Sequence, residues 1–442
     1  MSLLIVDLYN HRLRALSGER GTFDFVADDE AIRRHGVGST VLSFVIPLTS
    51  SPRPSDVGIR RNFFEEILAE GTARSRLGGN ARIDDTNTMA LLRRYGRDVA
   101  GAVQLWDPDD PQEPRTPSTA PVTAARIREI LSEVKLAPIG NTTERRMSSL
   151  AGVQDKIVLA LTDSGWAEPL DGYPSSHIIK PVVGALPTLI FDEEYGARIA
   201  RSLGLSLFDT QIAVFDGIPA LVIERYDRSA GGRIHQEDMN QALGFRGDAK
   251  YEAHGNPGLA TIAALLRENI GRVAVATLLR MTTLSIAVGN LDMHAKNISV
   301  MHREDGTSEL APMYDIVPQM HQPFDKDFAF SVNGVFAHNA ITRSDLVAEG
   351  QRWGLRDAAR IVDATIANVA QCVKDQQPVS GAHHSLAHDI SRYCQNLAEG
   401  RGASASHSGT SSPIASAAKP APEATAHPFL ASEGGWGGPG RP

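Results

Sequence analysis

The stretch AVGNLDMHAKNISVMHREDGTSELAPMYDIVP (287–318) carries the residue types that phosphoryl transfer needs. Asp292 precedes Asn297 by five positions, a strand-like ISVMH follows, a polar turn lies at Glu304–Gly306, and a short apolar stretch ends at Asp315. Moving a phosphoryl group from ATP requires one carboxylate to accept or orient the nucleophile's proton. It also requires an Asn and a further Asp to hold Mg²⁺ against the phosphates. In this pattern Asp292 is the base, Asn297 and Asp315 are the magnesium ligands, His294 braces the loop by hydrogen bonds, and Lys296 neutralises phosphate charge. Taken alone, the same spacing also fits two helix-capping side chains with Asp315 in an unrelated turn. The remainder of the chain decides, by whether it supplies an ATP lobe.

The elements that would build such a lobe follow in order. MSSLAGVQDKIVLAL (147–161) is a small-residue turn running into an alternating strand. Gly152 lets the backbone approach phosphates closely, and successive amides can cradle them. HIIKPVVG (177–184) reads as a strand with a lone Lys180, which either reaches the α/β-phosphates or is an ordinary solvated strand lysine. Asp192-Glu193-Glu194-Tyr195 opens a helix whose stripe runs through Ile199, Ala200 and Leu203 to a stop at Gly204. Glu193 there either pairs with Lys180 or compensates the helix dipole. PALVIERYDR (219–228) is an apolar strand whose end, at Glu224, Arg225 and Tyr226, either reads the adenine edge through its backbone or simply runs into solvent.

Upstream, residues 3–9 and 22–26 read as strands around a polar turn at Asn10–His11, and VLSFVIPL (41–48) is a further apolar, β-branched run. Residues 60–71 have Phe63, Phe64, Ile67 and Leu68 at helical spacing with Gly71 as a cap; 86–96 repeat that logic, and GAVQLW (101–106) closes the unit as a strand. Residues 1–106 thus form a small α+β unit. The Pro- and acid-rich 107–123 reads as a linker, and 124–134 as a helix. Of the 42 residues from 401 to 442, 29 are Gly, Ala, Ser or Pro, so this tail is expected to be disordered, with 427–431 and Trp436 its only apolar features. No internal repeat is evident.

The chain has 442 residues, 42% hydrophobic and 22% charged, enough for two or three domains. Its formal net charge of −8 argues against bulk attraction to nucleic acid. Cys372 and Cys394 form neither a disulfide framework nor a ligand cluster, which favours a reducing compartment. The N-terminus has polar breaks too early for a signal sequence, and no apolar run is long enough to span a membrane. A soluble cytoplasmic protein is expected.

Jointly these residues resemble the HipA family of bacterial serine/threonine kinases, the toxins of HipBA-type toxin–antitoxin pairs. The blocks SLAGVQDK (149–156), HIIK (177–180), DEEYGARIARSLGL (192–205), LVIERYDR (221–228), RIHQEDMNQALG (233–244), KYEAHGNPG (250–258), LDMHAKN (291–297) and PMYDI (312–316) fall in the family's order. FFEEILAEG (63–71) and YGRDVAGAV (95–103) look like its N-terminal subdomain. The resemblance covers about residues 1–375. It implies an α+β, bilobal protein-kinase-like fold with an extra N-terminal subdomain. A kinase core would span 124–400, with the small lobe reaching to about 228 and a mostly helical lobe beyond it. It implies Mg–ATP as donor and serine as acceptor. Asp292 then matches the catalytic base, Asn297 and Asp315 the metal ligands, and Lys180 the ATP-binding lysine, with Glu193 as its pairing acid. Ala151, Gly152, Val153, Gln154, Asp155 and Lys156 match the phosphate loop, and Glu224, Arg225 and Tyr226 the hinge. His294, Lys296 and Tyr314 fall in motifs lining the nucleotide site, and Ser149 matches the serine on which the family autophosphorylates.

The resemblance further implies a HipB-like helix-turn-helix antitoxin as partner, DNA contact mainly through that antitoxin, an aminoacyl-tRNA synthetase as substrate, and no membrane. Two positions depart from the family. Met293 stands where Gly is frequent after the base, and its side chain is expected to narrow the approach to Asp292. Asp192 stands where Asn is frequent. Two rival readings remain beside the protein kinase: a small-molecule kinase, and a catalytically silent co-repressor scaffold.

Overall fold

The computed structural model describes residues 2–406 apart from 112, 114, 115, 144, 153, 231, 253–255 and 324; Val153 therefore lies outside the described residues, as do 427–431 and Trp436. The N-terminal unit begins with three antiparallel strands, β1 (Ser2–Leu8), β2 (His11–Glu19) and β3 (Thr22–Ala27). Tyr9 and Asn10 adopt left-handed φ values of 54° and 63°, the geometry of a tight hairpin whose twist matches its strands. With β4 (Val103–Trp106) the sheet order is β3-β2-β1-β4. Helices α1 (Asp29–His35), α2 (Val57–Glu66), α3 (Gly71–Ala81) and α4 (Thr88–Tyr95) share a core with it through Phe23, Phe25, Phe63 and Phe64.

Three local expectations change. The run 41–48 joins no sheet, although Val41, Leu42, Ile46 and Leu48 are buried. Pro47 lacks a donor, and the run's backbone bonds partly within its own loop and partly to side chains from further along the chain. The Phe44 amide bonds Glu237 Oε1 at 2.9 Å, and Leu42 O lies 2.7 Å from His235 Nε2. Gly71 does not cap the first long helix: α2 stops at Glu66 and Gly71, at φ 50°, opens α3. Within the segment read as a linker, Ser118–Pro121 forms strand β5.

β5 is the edge of a six-stranded antiparallel sheet with order β5-β7-β6-β8-β10-β9, built with β6 (Ile157–Thr162), β7 (Gly165–Leu170), β8 (His177–Pro181), β9 (Thr210–Phe215) and β10 (Ile218–Glu224). Helix α5 (Ala124–Ser132) covers one face through Ile127, Ile130 and Leu131. Helix α6 (Leu189–Ser202) instead gives Tyr195, Ile199 and Ala200 to the core of the helical lobe. A short hairpin (β11 Arg228–Ser229, β12 Gly232–Arg233) leads to a three-stranded sheet of β13 (His235–Asp238), β14 (Ser299–His302) and β15 (Ser308–Leu310). The helical lobe follows as α7 (Met239–Ala242), α8 (Leu259–Asn269), α9 (Arg272–Val288), α10 (Arg343–Arg352), α11 (Ala358–Asp375) and α12 (Leu386–Ala398). Its packing runs past 400: Ala403 is buried, its amide bonds Ile341 O at 2.9 Å, and its carbonyl accepts from Asn396 at 3.0 Å.

Candidate active site

Asp292 owes its place to the end of α9, whose second half is buried on all sides. Gly289 terminates the helix at a left-handed φ of 73°, and the Asn290 amide closes the turn on Ser285 O at 2.9 Å. The loop that follows is bonded to itself. Asn297 Nδ2 donates to the Asp292 carbonyl at 2.8 Å, and the His294 amide donates to the same oxygen at 2.8 Å. Met293 does not narrow the approach to Asp292. Its side chain is buried in the helical core, with Ser285 Oγ 3.1 Å from its sulfur, and so anchors the loop from behind. His294 braces the loop through its backbone and its edge-on contact with Tyr251, while its imidazole Nε2 stays 3.9 Å from Asp292. Burial pushes that imidazole down to about 4, so it is neutral at physiological pH. Burial also raises the Asp292 carboxyl, against the pull of His294, Lys250 and a 3.1 Å bond from Tyr251 OH.

Asp315 sits at a left-handed φ of 56°, a conformation Asp and Asn tolerate better than most residues. The next peptide lies against α6 at Gly196, where any Cβ would collide with the Ile316 carbonyl. That contact brings Glu193, Asp315 and Lys180 together. Lys180 Nζ donates to Glu193 Oε1 and to Asp315 Oδ1, each at 2.7 Å. One ammonium cannot fully compensate two carboxylates in a buried site. Asp315, with 35% of its side chain exposed, stays ionised: burial opposes its charge, but Lys180 holds it down at about 2. Glu193, at 3%, is the acid that gives way, since burial outweighs the pull of Lys180 and the Asp315 charge adds to the burial, lifting it to about 7.

This carries a pH dependence. Glu193 ordinarily titrates near 4.5, so above that pH the unfolded chain releases a proton that the folded protein keeps until about 7. The stability contributed by Glu193 is complete below 4.5 and lost as pH rises through 7. Glu193→Gln is uncharged throughout, so the variant's Tm should gain on the wild type between pH 5.5 and 8. A Tm difference that stays constant over that range would show Glu193 ionised throughout.

These groups line one cleft between the lobes, enclosing about 240 Å³. Ala151, Gly152, Gln154, Lys156, Lys180, Glu193, Glu224, Arg225, Tyr226, Asp292, His294, Lys296, Asn297, Tyr314 and Asp315 all border it. Lys156 Nζ bonds the Ala151 carbonyl at 2.6 Å, and burial together with Lys180 pushes it down to about 8. Tyr226 stacks on Tyr314 with ring centroids 5.5 Å apart, and Tyr314 OH bonds Ser299 Oγ at 2.6 Å. The amides of Glu224 and Arg225 are already used, on Asp209 O and Ser176 O, and the Arg225 guanidinium is bound to Asp227, Ser175 and Val99. Asp155 does not line the cleft. Neither does Ser149: it is fully buried, and its Oγ accepts the Ala69 amide at 2.9 Å. Ser148 is buried as well and donates to Asp98 at 2.9 Å. Asp192 is engaged at the start of α6 by His321 at 3.1 Å and by the His383 amide at 2.8 Å.

The donor set fits a magnesium ion. Asn297 spends its amide nitrogen on the Asp292 carbonyl, which leaves its oxygen for a cation, and Asp315 contributes a partly exposed carboxylate. Mg²⁺ takes such hard oxygen ligands and fills its remaining positions with water and phosphate. Among the described residues no group of three or more His, Cys, Asp and Glu is arranged to hold a metal unaided. An ion arriving with a nucleotide fits that arrangement.

Among the cleft residues that the sequence alone assigns no role are Glu66, Glu70, Lys250 and Tyr251. Lys296 is bonded to Glu66 and lies 3.1 Å from Glu70, so its charge is met by the N-terminal unit. The signal was the spacing of the two acids, four apart in FFEEILAEG, and the basic–aromatic pair that opens KYEAHGNPG. Neither has a recognisable chemistry until the fold sets them beside the loop that carries Asp292 and Lys296.

Fold and cleft together define a bilobal, kinase-like protein with an added N-terminal domain. Residues 4–106 match the HipA N-terminal domain and residues 148–376 the HipA-like C-terminal domain. The chain belongs to the HipA family. A Sinorhizobium fredii protein that carries a kinase name, Y4mE, is 32% identical over 359 residues, covering 75% of this chain and 84% of the relative. The serine/threonine-protein kinase toxin HipA of Shewanella oneidensis is 28% identical over 335 residues, covering 71% and 75%. The fold is similar to that of HipA in a Shewanella oneidensis complex of HipA, HipB and operator DNA, with a TM-score of 0.72 and 24% identity over 89% of this chain and 95% of that one. No helix among the described residues is long and apolar enough to cross a membrane.

Proposed function

We propose that the protein is an ATP-dependent serine/threonine protein kinase acting as the growth-inhibiting toxin of a toxin–antitoxin pair. The observation that carries this reading is the Lys180 bridge between Glu193 and Asp315, with Asp292 and Asn297 in the same cleft. Bound Mg²⁺ would neutralise phosphate charge. Asn297 and Asp315 would hold it, Lys180 would steady the α/β-phosphates, and Asp292 would take the proton of the attacking hydroxyl. Tyr251, bonded to Asp292, orients that carboxylate toward the acceptor. The substrate is an aminoacyl-tRNA synthetase, and the partner is a HipB-like helix-turn-helix antitoxin through which DNA is contacted indirectly. The antitoxin assignment is supported by the structural relative solved with HipB and operator DNA, and the indirect contact by the net charge of −8.

Ser149 is the proposed autophosphorylation site. Because its hydroxyl is buried against Ala69, the 149–156 loop must leave its place before that oxygen can receive phosphate. A phosphate carrying nearly two negative charges would then keep the loop out and silence the enzyme. Mass spectrometry after incubation with Mg–ATP tests both proposals: wild type should gain one phosphate on the peptide containing Ser149, and Ser149→Ala none. Phosphate persisting on the variant would move the site, with Ser148 nearest. A folded wild type that marks neither itself nor any synthetase would return the scaffold reading. Turnover of a small metabolite with no labelled protein band would return the small-molecule kinase.

A further inference from the structure

Glu70 belongs to the N-terminal domain, yet its carboxylate lies in the nucleotide cleft. Its Oε1 accepts the Gly152 amide at 3.0 Å and faces Lys296 Nζ at 3.1 Å, while its Oε2 faces Lys250 Nζ at 3.5 Å. Glu66, on α2, bonds the same Lys296 and takes the Gly247 amide at 2.6 Å. A single side chain thus touches the phosphate loop, the catalytic loop and the segment whose next residue, Tyr251, bonds Asp292. Burial works against a charge on Glu70, but Lys296, Lys250 and the Gly152 amide hold its carboxyl far below the usual range. Gly152 sits at a φ of 98°, open to glycine alone, and a Cβ there would meet Lys156 Nζ at 2.7 Å.

We propose that Glu70 is a positioning residue of the phosphotransfer site, a latch by which the N-terminal domain holds the phosphate loop and the catalytic loop in register. What it positions rests on the kinase reading; that it latches the loop does not. Charge-assisted hydrogen bonds of this kind are about twice as strong as neutral ones. Truncating Glu70 leaves Lys250 and the Gly152 amide without this partner, and Lys296 with Glu66 as its remaining ion pair among the described residues.

The test is amide hydrogen exchange on the full chain, with equilibrium binding of Mg–ATP, for wild type, Glu70→Ala and Glu70→Gln. Glu70→Ala should speed exchange in residues 150–156 about tenfold and weaken nucleotide binding about as much, with β1–β4 unchanged. Glu70→Gln keeps an acceptor for Gly152 but loses the charge facing two lysines, and should fall between the two. Unchanged loop exchange in Glu70→Ala overturns the latch, as does faster exchange spread equally through β1–β4, which would mark a merely structural role. If the exchange contrast holds but wild type transfers no phosphate, the kinase reading fails and the latch stands. If transfer occurs and the contrast is absent, the latch alone fails.

Discussion

Asp292→Asn should lose phosphoryl transfer by about 10²–10⁴-fold, the usual contribution of a positioned general base. ATP affinity should stay within about threefold of wild type, because the proposed role of the lost group is at the acceptor hydroxyl and not at the phosphates. The geometry makes this a clean substitution. Asn297 and the His294 amide hold the Asp292 backbone carbonyl, not its side chain, so the loop keeps its shape when the carboxylate becomes an amide. Tyr251 OH can still donate to the amide oxygen in place of the carboxylate. Growth inhibition on expression should vanish with transfer. Phosphoproteomics of cells expressing wild type and variant reads both at once: phosphopeptides seen only with wild type are the substrates. A growth defect that survives the substitution would mean toxicity has another source, such as sequestration of a partner.

The site was legible in sequence where chemistry is local. Asp292, Asn297 and Asp315 lie within one stretch, and their spacing around a hairpin corresponds to β14, β15 and the turn between them. Lys180 and Glu193 are legible as types, and their pairing stands beside the helix-dipole alternative until the 2.7 Å bond between them decides for it. Nothing in the spacing of a strand lysine and a helix acid says that Gly196 will let α6 lie against the Ile316 carbonyl. Met293 was misread for a related reason: a side chain after the base has two directions open to it, and only packing chooses the core. Val41–Leu48 joins no sheet: its backbone bonds locally to Ser39 and Ser43 and also to the side chains of Glu237 and His235, about two hundred residues away. Buried polar groups must find partners, but sequence does not reveal which ones. The same holds for Glu66 and Glu70, whose acidity reads as a solvated helix face until Lys296 and Lys250 are placed beside them.

The second large effect is expected at Asp315, and it separates binding from folding. Asp315→Asn removes a carboxylate from the proposed magnesium site, so phosphoryl transfer should fall by about 10²–10³-fold or more, the scale seen when one preorganised electrostatic group is lost. The Mg²⁺ dependence of ATP binding should flatten as well. Stability should not follow. Asn accepts the left-handed backbone at this position. With Asp315 neutral, Lys180 faces a single carboxylate at 2.7 Å, and Glu193 no longer meets a second negative charge. The remaining pair is balanced, so Tm near neutral pH should hold or rise. Lys180→Met is the contrasting case. It leaves two carboxylates facing each other across a buried site, and breaking a buried pair from one side typically costs about 3–5 kcal/mol. Protonation of Glu193 would relieve that cost at low pH. Titrating Mg²⁺ against ATP binding and recording Tm for both variants at pH 6 and 8 checks the argument. Equal losses of Tm in the two would show that Lys180 does not choose between its two acids as the burial of Glu193 requires.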